Sequence, residues 1–406
     1  MRIGFVSSWY ERGAAYVTRA YLELVKDTHD VFVYARAGGS AEKNSADWNQ
    51  HYVTYGYELP GTEINYKHFL KWIEANKIDV IFFNEQREFS ILYRLKLDHP
   101  DIVIGAYIDY YTAETIPKFS VYDFLICNTK RHYNTFSWHP QCYFVPWGTD
   151  TELYNVTQRQ KSDKVRFFHS MGTTTRKGTA SLIRAFIDAN LGEDAELIIH
   201  TQIPISVVTS LSNAELREKN ITIIEKTVAA PGLYYCGDVY VYPTKLDGLG
   251  LTVFEALSSG MPVITTDFAP MNEIVTEDLG KLVSVQRVYC REDGYYWPMT
   301  DVDEKALATA MEYYVLHKDE LTQFQNMCRS FAVSSLNWND RKPSVLKCFE
   351  QSGCLSFDQK EYLQNVARDE KARKSRIKQD ILSVLPDWIR TRIYHRLNQK
   401  TVFKRS

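Results

Sequence analysis

The sequence predicts an α/β protein with two doubly wound domains that face one another across a cleft. Strand and helix patterns alternate over residues 2–136, and the same alternation restarts at residue 165. Such alternation is typical of a parallel sheet covered by helices on both faces, the arrangement of Rossmann-like domains. A chain of 406 residues also exceeds the size at which one hydrophobic core keeps growing, which favours two domains.

The first domain is predicted over residues 1–150. Ligands of a doubly wound sheet are expected beyond the carboxyl ends of its strands. Apolar runs predict the strands, and apolar residues at helical spacing predict the helices. The predicted strands cover residues 2–7, 31–34, 79–84, 102–107 and 124–127, and the predicted helices cover residues 15–25, 66–75, 88–97 and 130–136.

The second domain is predicted over residues 151–335. Residues 143–150 form a short strand pattern broken by Pro146 and Gly148, and a polar run over residues 155–164 follows, which indicates a domain boundary. A helical extension is predicted over residues 336–406. Further strands are predicted at residues 165–170, 195–200, 221–224 and 239–242, and a helix at residues 178–189.

The most informative segment is 238–267, which reads DVYVYPTKLDGLGLTVFEALSSGMPVITTD. It predicts a strand, a glycine turn, a helix and a second strand. A helix N-terminus that follows such a turn favours an anion such as a phosphate. Asp247 and Glu255 flank this terminus, and carboxylates are good acceptors for sugar hydroxyl groups. The combination indicates a diphosphate joined to sugars on both sides, which describes a nucleotide-sugar.

Charge, apolar runs and cysteine spacing argue against several classes of function. The net charge of −2 argues against a nucleic-acid partner, and no apolar run reaches the ~20 residues needed to span a bilayer. The N-terminal residues lack the features of a signal peptide. Seven scattered cysteines without C-x-x-C spacing indicate reduced thiols in a cytoplasm and no metal site.

The C-terminal stretch is rich in lysine and arginine. Within residues 388–405, apolar side chains recur near helical spacing with arginines between them. Such a pattern is most often a solvated helical face, and it also fits a basic amphipathic helix on an anionic membrane surface. The second interpretation places the protein at the inner face of the membrane as a peripheral protein.

The segment 238–267 resembles the nucleotide-sugar signature of GT-B retaining glycosyltransferases of family 4, the glycosyl transferases group 1. These proteins carry two acidic residues eight apart around a Gly-x-Gly-Leu turn. Residues 144–150 resemble the family's interdomain hinge, and residues 172–178 resemble its phosphate-binding loop. Residues 262–264, 272–275 and 280–283 resemble the strand and loop that follow the signature. The resemblance covers residues 140–285 well and the first domain loosely.

The resemblance implies a GT-B fold, a donor held by the second domain, an acceptor held by the first domain, retention at the anomeric carbon and no cofactor or metal. Glu255 would bind the ribose, Asp247 the donor sugar, and Arg176 and Lys177 the diphosphate. Backbone N–H groups of Leu249, Gly250 and Leu251 would face the sugar and phosphates. The remaining donor-binding positions implied are Gly172, Gly248, Thr252 and Gly13, although Gly13 is equally explained as a turn residue with positive φ.

Three positions depart from the family pattern. Asp247 stands where the family usually has the longer Glu, and Arg176 is displaced to a place beside Lys177. Ile108 occupies the place of a histidine found in many relatives, which leaves Asp109 as the polar candidate at that strand end, either a sugar ligand or a cap. His132, His139 and His169 are interpreted as packing or surface residues, with His169 expected at a strand end that faces the cleft.

The leading hypothesis is a cytoplasmic glycosyltransferase that moves a hexosyl or deoxyhexosyl group from a nucleoside-diphosphate sugar to a glycan or lipid-linked acceptor. Because no protein nucleophile is evident, the acceptor would attack from the same face while the departing diphosphate helps to remove its proton. A nucleotide-sugar epimerase on the same fold and a degenerate nucleotide-sugar-binding protein remain as alternatives.

Overall fold

A computed structural model describes residues 1–36, 47–156, 159 and 162–383. The chain divides into two compact units. The larger unit contains residues 1–87 and 103–353, and the smaller unit contains residues 88–102 and the chain from residue 354 onward. Two separate parallel sheets lie within the larger unit.

The first sheet has seven strands in the order β3-β2-β1-β4-β5-β6-β7, and every neighbouring pair is parallel. The three-residue strand β3 was not predicted because a run so short carries little periodic signal, whereas β7 overlaps the short strand predicted at residues 143–150. The strands are β1 (Arg2–Ser7), β2 (Asp30–Ala35), β3 (Val53–Tyr55), β4 (Val80–Asn84), β5 (Val103–Tyr107), β6 (Phe124–Cys127) and β7 (Cys142–Phe144), and the accompanying helices of this unit are α1 (Gly13–Val25), α2 (Tyr66–Asn76) and α4 (Lys130–Phe136).

The second sheet has six parallel strands in the order β10-β9-β8-β11-β12-β13. Helices α5 and α9 pack against each other through faces that bury Leu182, Phe186, Leu307 and Met311. The strands are β8 (Val165–Gly172), β9 (Ala195–Thr201), β10 (Ile221–Glu225), β11 (Val239–Tyr242), β12 (Val263–Thr266) and β13 (Gly280–Val283), and the helices are α5 (Thr179–Ala189), α6 (Asn213–Glu218), α7 (Leu251–Ser258), α8 (Met271–Ile274) and α9 (Glu304–Leu316).

The strand order reverses between β1 and β4 in the first sheet and between β8 and β11 in the second. At such a switch point the connections leave in opposite directions and open a crevice at the carboxyl ends of the strands. All four residues of β11 are buried, as expected for a central strand covered on both faces. Two doubly wound sheets confirm the predicted fold class.

A hairpin formed by β14 (Val285–Tyr289) and β15 (Met299–Val302) follows the second sheet. The sequence pattern does not predict this hairpin, because its strands are partly exposed and lack a strict alternation of apolar and polar residues. The loop between these strands reaches the first domain, where Tyr295 forms an antiparallel bridge with Thr112.

The chain then returns to the first domain through α10 (Leu321–Phe331), two short helical turns and α11 (Lys342–Gln351). Trp338 donates its indole N–H to the carbonyl of Ala20 at 2.9 Å. Phe349 packs against Phe82 and Phe124 with ring centroids 5.2 and 5.5 Å apart. The polar helical pattern beyond residue 334 therefore includes a helix with one apolar face that completes the first domain's core.

The smaller unit pairs α3 (Ser90–Asp98) with α12 (Gln359–Ser383). The rings of Tyr93 and Tyr362 meet edge to face with centroids 4.8 Å apart. Nη1 of Arg94 lies 3.7 Å from Oε1 of Glu370 in an ion pair. None of the helices in the described part of the chain is both long and apolar enough to cross a membrane. The basic segment 388–405 lies outside the described residues, and its contact with an anionic surface stays a prediction.

Candidate functional site

A pocket of about 340 Å³ lies where the two domains meet, at the carboxyl ends of the strands beside both switch points. Its size is in the range of small-molecule sites. The structure brings eight of the predicted site residues to its wall. They are Gly13, Asp109, Arg176, Lys177, Asp247, Gly248, Leu249 and Leu251.

Asp247 is tied into a local network. Its Oδ1 accepts hydrogen bonds from the N–H groups of Leu249 at 3.1 Å and Gly250 at 2.8 Å, and its Oδ2 accepts from the Tyr242 hydroxyl at 2.5 Å and pairs with Lys177. Burial by itself would raise the pKa of this carboxyl, but the Lys177 ammonium and these hydrogen bonds hold it well below its usual range. Asp247 is therefore ionised, and it organises the glycine turn and Lys177.

This network changes the expectation for two backbone groups. The N–H groups of Leu249 and Gly250 were predicted to face the donor, whereas the structure gives them the Asp247 carboxylate as partner. Gly250 adopts φ +79°, and a Cβ there would lie 2.4 Å from Cε of Met271. The positive φ is what favours glycine at this position, since the flexible end of Met271 could move aside.

Helix α7 directs its N-terminus at the pocket. The first N–H groups of a helix have no intrahelical partner, so those of Leu251 and Thr252 remain available for an anion. The N-terminus of α1 approaches from the first domain, where a Cβ at Gly13 would lie 3.8 Å from Cδ1 of Leu251. Gly13 does not have positive φ, so the turn explanation for it is wrong. Two helix N-termini thus converge on one pocket.

The phosphate-loop segment follows β8. Gly172 has φ +61° but does not line the pocket, and Thr174 caps the short helical turn Thr175–Lys177 through the N–H of Arg176. Lys177 pairs with Asp247, whereas no ion pair of Arg176 occurs among the described residues. The two cations therefore differ: Lys177 is fixed by the Asp247 carboxylate, and Arg176 is available to a ligand.

Glu255 lies one turn along α7 from Leu251 and is not among the residues that line the pocket. The hydroxyl of Tyr234 donates to it at 2.5 Å, and Tyr154 also forms a hydrogen bond with it. Burial raises the pKa of Glu255, and the two tyrosines and the charge of Lys177 offset this effect only in part. Thr252 and Gly172 likewise lie outside the wall.

Asp109 extends from the end of β5 towards the glycine turn. A Cβ on Gly248 would lie 2.7 Å from its Oδ1, so the Asp109 side chain would have to shift if residue 248 carried a Cβ. Burial raises the pKa of Asp109 to about 7, and the adjacent Glu85, to which it is hydrogen bonded, and Asp247 act in the same direction while Arg87 opposes them.

Sequence reasoning missed Glu85. This residue follows β4 with φ +54°, a left-handed conformation that is rare for glutamate, and Arg12 pairs with it at 3.1 Å. Its place directly after a strand adjacent to β5 was the available signal, since carboxyl ends of neighbouring parallel strands meet at one edge. The backbone conformation was not predictable.

Sequence reasoning also missed an aromatic column that joins the domains at the pocket. The guanidinium carbon of Arg87 lies 3.9 Å from the ring centroid of Tyr110, and the rings of Tyr110 and Tyr295 stack with centroids 5.2 Å apart. The guanidinium carbon of Arg291 lies 5.3 Å from the ring centroid of Tyr295. Tyr295 and Arg291 come from the loop of the β14–β15 hairpin. Nothing in the sequence pattern indicated that this loop reaches the site.

A second set of interdomain contacts fixes the glycine turn through its backbone carbonyl groups and through Glu273 of the same domain. The Glu273 carboxylate accepts hydrogen bonds from the N–H groups of Lys130 and Arg131 at 2.6 and 2.8 Å. Arg131 donates to the carbonyl of Asp247 at 2.7 Å, and a ring nitrogen of His132 lies 3.2 Å from the carbonyl of Gly248. A carboxylate at the start of a helix is stabilised by the unpaired N–H groups there.

The histidines have structural roles. His132 and His139 are buried and hydrogen bonded, as expected for packing residues. His169 is fully buried between the carbonyl of Val241 and the hydroxyl of Thr179, so the expectation that it faces the cleft is wrong. The side chains of a central strand point into the helix layers rather than along the strand.

Comparison with known proteins relates the second domain to one family. Residues 163–315 match the family model for glycosyl transferases group 1. A lipopolysaccharide core biosynthesis mannosyltransferase of Rhizobium meliloti is 30% identical over 103 residues, which cover 25% of this chain and 29% of that protein. An MMP alpha-(1->4)-mannosyltransferase of Mycolicibacterium hassiacum is 25% identical over 143 residues, and the match covers 34% of each chain. The chain thus spans about a third of these curated relatives.

Similar solved structures extend over both domains. A glycosyltransferase from Rickettsia africae has a TM-score of 0.67 at 13% identity, covering 86% of this chain and 98% of the other. An Anabaena protein solved in complex with UDP-glucose has a TM-score of 0.66 at 12% identity, covering 86% of this chain and 100% of the other. At these identities the similarity shows the fold, which is GT-B.

Proposed function

Because the chain has the GT-B fold and its second domain matches the glycosyl transferases group 1, we propose that it is a glycosyltransferase. It would move a hexosyl or deoxyhexosyl group, with retention, from a nucleoside-diphosphate sugar to a glycan or lipid-linked acceptor. One observation carries the proposal: two helix N-termini and the cations Arg176 and Lys177 converge on one pocket between the domains. This arrangement suits a diphosphate.

The same features serve the chemistry of group transfer. The bond between the anomeric carbon and the diphosphate oxygen breaks in the transition state, and negative charge grows on the leaving group. Fixed cations and helix N-termini stabilise this growing charge more than they stabilise the bound donor, which lowers the barrier. Arg176 would bind the diphosphate, and Asp247 would hold Lys177 in place for it.

Glu255 is the proposed ligand of the donor ribose. Replacing Glu255 with Ala is expected to raise the donor dissociation constant by about 10- to 100-fold, because hydrogen bonds to a carboxylate contribute about 1.5–3 kcal/mol. Isothermal titration calorimetry with the nucleoside diphosphate measures the change. Glu277→Ala, an exposed acid of the same domain, is the matched control.

The pH dependence of donor affinity gives a second test of the proposed role of Glu255. Since its pKa is raised, the ionised form that accepts hydrogen bonds from hydroxyl groups is lost earlier than usual as the pH falls. Donor affinity is therefore expected to weaken on acidification in the wild type and to change little in Glu255→Ala. Equal dissociation constants for the variant and the wild type would refute the assignment.

A ligand panel tests the proposed function itself. Thermal-shift measurements with UDP, GDP, ADP and dTDP compounds identify the base, because ligand binding raises apparent stability. Slow release of free sugar from the matching labelled donor supports a transferase, and formation of an epimer favours the epimerase. Failure of every compound to bind would overturn both enzymatic proposals in favour of a non-catalytic protein.

A further inference from the structure

The loop of the β14–β15 hairpin, residues 290–298, belongs to the second domain and lies against the first. Tyr295 forms an antiparallel bridge with Thr112. The backbone N–H of Tyr296 donates to the carbonyl of Tyr111 at 2.9 Å. The hairpin loop therefore joins the two domains through backbone hydrogen bonding at the pocket.

Aromatic stacking reinforces this contact between the domains. The rings of Tyr110 and Tyr295 stack with centroids 5.2 Å apart and an interplanar angle of 18°, and Tyr295 is only 8% exposed. The Tyr110 hydroxyl donates to the carbonyl of Asp293 at 3.1 Å, and the Tyr295 hydroxyl donates to the carbonyl of Asp109 at 3.2 Å. Each tyrosine therefore donates a hydrogen bond to the opposite domain, and stacked rings attract each other beyond the area that they bury.

The covalent connections between the domains lie side by side outside the pocket. The chain passes to the second domain near Thr149 and returns near Leu336. The N–H of Thr149 donates to the carbonyl of Leu336 at 2.7 Å, and the N–H of Trp338 donates to the carbonyl of Thr149 at 2.9 Å. Two adjacent connections permit the domains to rotate about one region, which is the default for domains of one chain. The contacts of Glu273 and of the hairpin loop therefore decide how close the domains lie at the pocket.

The pocket wall depends on this closeness. Tyr295 and Arg291 of the hairpin loop line the pocket together with Gly13 of the first domain and the cations Arg176 and Lys177 of the second. In a group transfer the reacting atoms must lie about 3–3.5 Å apart, and a misplacement of about 1 Å can lower the rate by about 10²-fold. A contact that fixes one domain against the other therefore affects the rate of the proposed reaction.

We propose that the hairpin loop 290–298 is an interdomain strap, and that Tyr295 is a positioning residue whose stack on Tyr110 holds the first domain against the donor side of the pocket. This inference rests on the proposed glycosyl transfer. Tyr295 acts through the domains: it fixes the distance between the acceptor on the first domain and the donor on the second. Loss of the strap lowers the fraction of molecules in which the pocket is assembled, and turnover falls with that fraction.

The strap is tested first without any substrate. Spin labels attached through unnatural amino acids at Glu74 and Asp188, exposed positions on α2 and α5, report the distance between the domains by double electron–electron resonance. The full-length wild type should give one narrow distance distribution. Tyr295→Ala and Tyr110→Ala should each broaden it, whereas Tyr295→Phe, which keeps the stacked ring and loses the hydroxyl, should leave it narrow.

Two results would overturn the strap, whatever reaction the protein catalyses. One is a broad distance distribution in the wild type, and the other is a narrow distribution in both alanine variants. A broad distribution in Tyr295→Phe would show that the hydroxyl of Tyr295, and not its stack on Tyr110, holds the domains together. Unfolding in urea checks that each variant is folded.

The positioning role is tested by release of free sugar from the labelled nucleotide-sugar whose nucleoside diphosphate binds in the panel. Tyr295→Ala should lower kcat by about 10- to 100-fold. It should raise the dissociation constant of the nucleoside diphosphate by less, because the proposed donor ligands Arg176, Lys177 and Glu255 all lie on the second domain. Tyr295→Phe should keep kcat within about threefold of the wild type. Wild-type kcat in Tyr295→Ala, or a change confined to the dissociation constant, would overturn the positioning role.

A double-mutant cycle assigns the effect to the stack. If Tyr110 and Tyr295 act through one contact, Tyr110→Ala/Tyr295→Ala should lower kcat by no more than about threefold beyond either single variant. Losses that multiply in the double variant would contradict a shared contact. Tyr235→Ala is the matched control, since Tyr235 is a 50% exposed tyrosine of the second domain that does not line the pocket. Its distance distribution and its kcat should match those of the wild type. Absence of turnover with every donor would refute the proposed function, while the distance measurements would still decide the strap.

Discussion

Replacing Lys177 with Met is expected to lower kcat by about 10²- to 10³-fold, the range seen when one fixed group that stabilises transition-state charge is removed. Lys177 lines the pocket beside the glycine turn, and Asp247 and Tyr242 hold its ammonium group in place. The measurement is steady-state turnover of the donor identified by the ligand panel, together with unfolding in urea.

The Lys177→Met variant also leaves Asp247 without its countercharge, and a largely buried carboxylate in that state destabilises the fold. The double variant Lys177→Met/Asp247→Asn removes both charges, so it should recover most of the stability while kcat stays low. This separates loss of the cation from loss of structure. Recovery of kcat along with stability would contradict a direct role for Lys177.

Lys245 and Asp301 provide the matched control. They form an ion pair at 2.7 Å with side-chain exposures of 29% and 26%, somewhat above the 20% and 15% of Lys177 and Asp247, and neither lines the pocket. Because this pair lies outside the pocket, the double variant Lys245→Met/Asp301→Asn is expected to keep kcat within about threefold of the wild type and to change stability by only about 0–1 kcal/mol.

Replacing Gly178 with Ala is expected to destabilise the second domain by about 3 kcal/mol or more. Gly178 has φ +76° at the start of α5, and a Cβ there would lie 1.9 Å from the carbonyl oxygen of Pro243. The backbone of the phosphate-loop segment would have to move away from β11. A shift of the unfolding midpoint by about 6 °C or more, followed by circular dichroism, checks this expectation.

Gly192→Ala isolates the contribution of the backbone conformation. Gly192 has φ +62°, but no atom lies within 4 Å of a Cβ placed there. Its substitution should cost only about 1 kcal/mol from the positive φ. Equal midpoint shifts for the two alanine variants would show that the close approach of Gly178 to Pro243 is not what requires glycine.

The strands that the sequence identified most securely are those with both faces covered. The run 239–242 could be assigned because every residue of β11 is apolar or aromatic and buried. The hairpin of β14 and β15 was missed because half-exposed strands carry mixed residues. Hydrophobic periodicity therefore predicts strands that are well buried, and it gives no clear prediction for strands that are only partly buried.

For the candidate site, the sequence located the glycine turn but not the partners of its residues. Asp247 was predicted to hold a donor sugar, and in the structure Lys177, 70 residues away, occupies one of its oxygens. The place of Glu85 after a strand next to β5 was visible in the sequence, but its left-handed backbone and its ion pair with Arg12 were not. The position of Glu85 beside Asp109 depends on two neighbouring strand ends and on that left-handed backbone.

The two doubly wound sheets, the helix start at Leu251 and the acids around it could be predicted from the sequence, because periodicity, glycine turns and helix N-termini are local properties of the chain. Which side chains meet depends on the tertiary fold: Lys177 contacts Asp247, Glu85 lies beside Asp109, and Tyr295 donates to the carbonyl of Asp109, 186 residues away. These contacts depend on strand order and on the approach of one domain to the other, and neither is encoded in the spacing of residues along the chain.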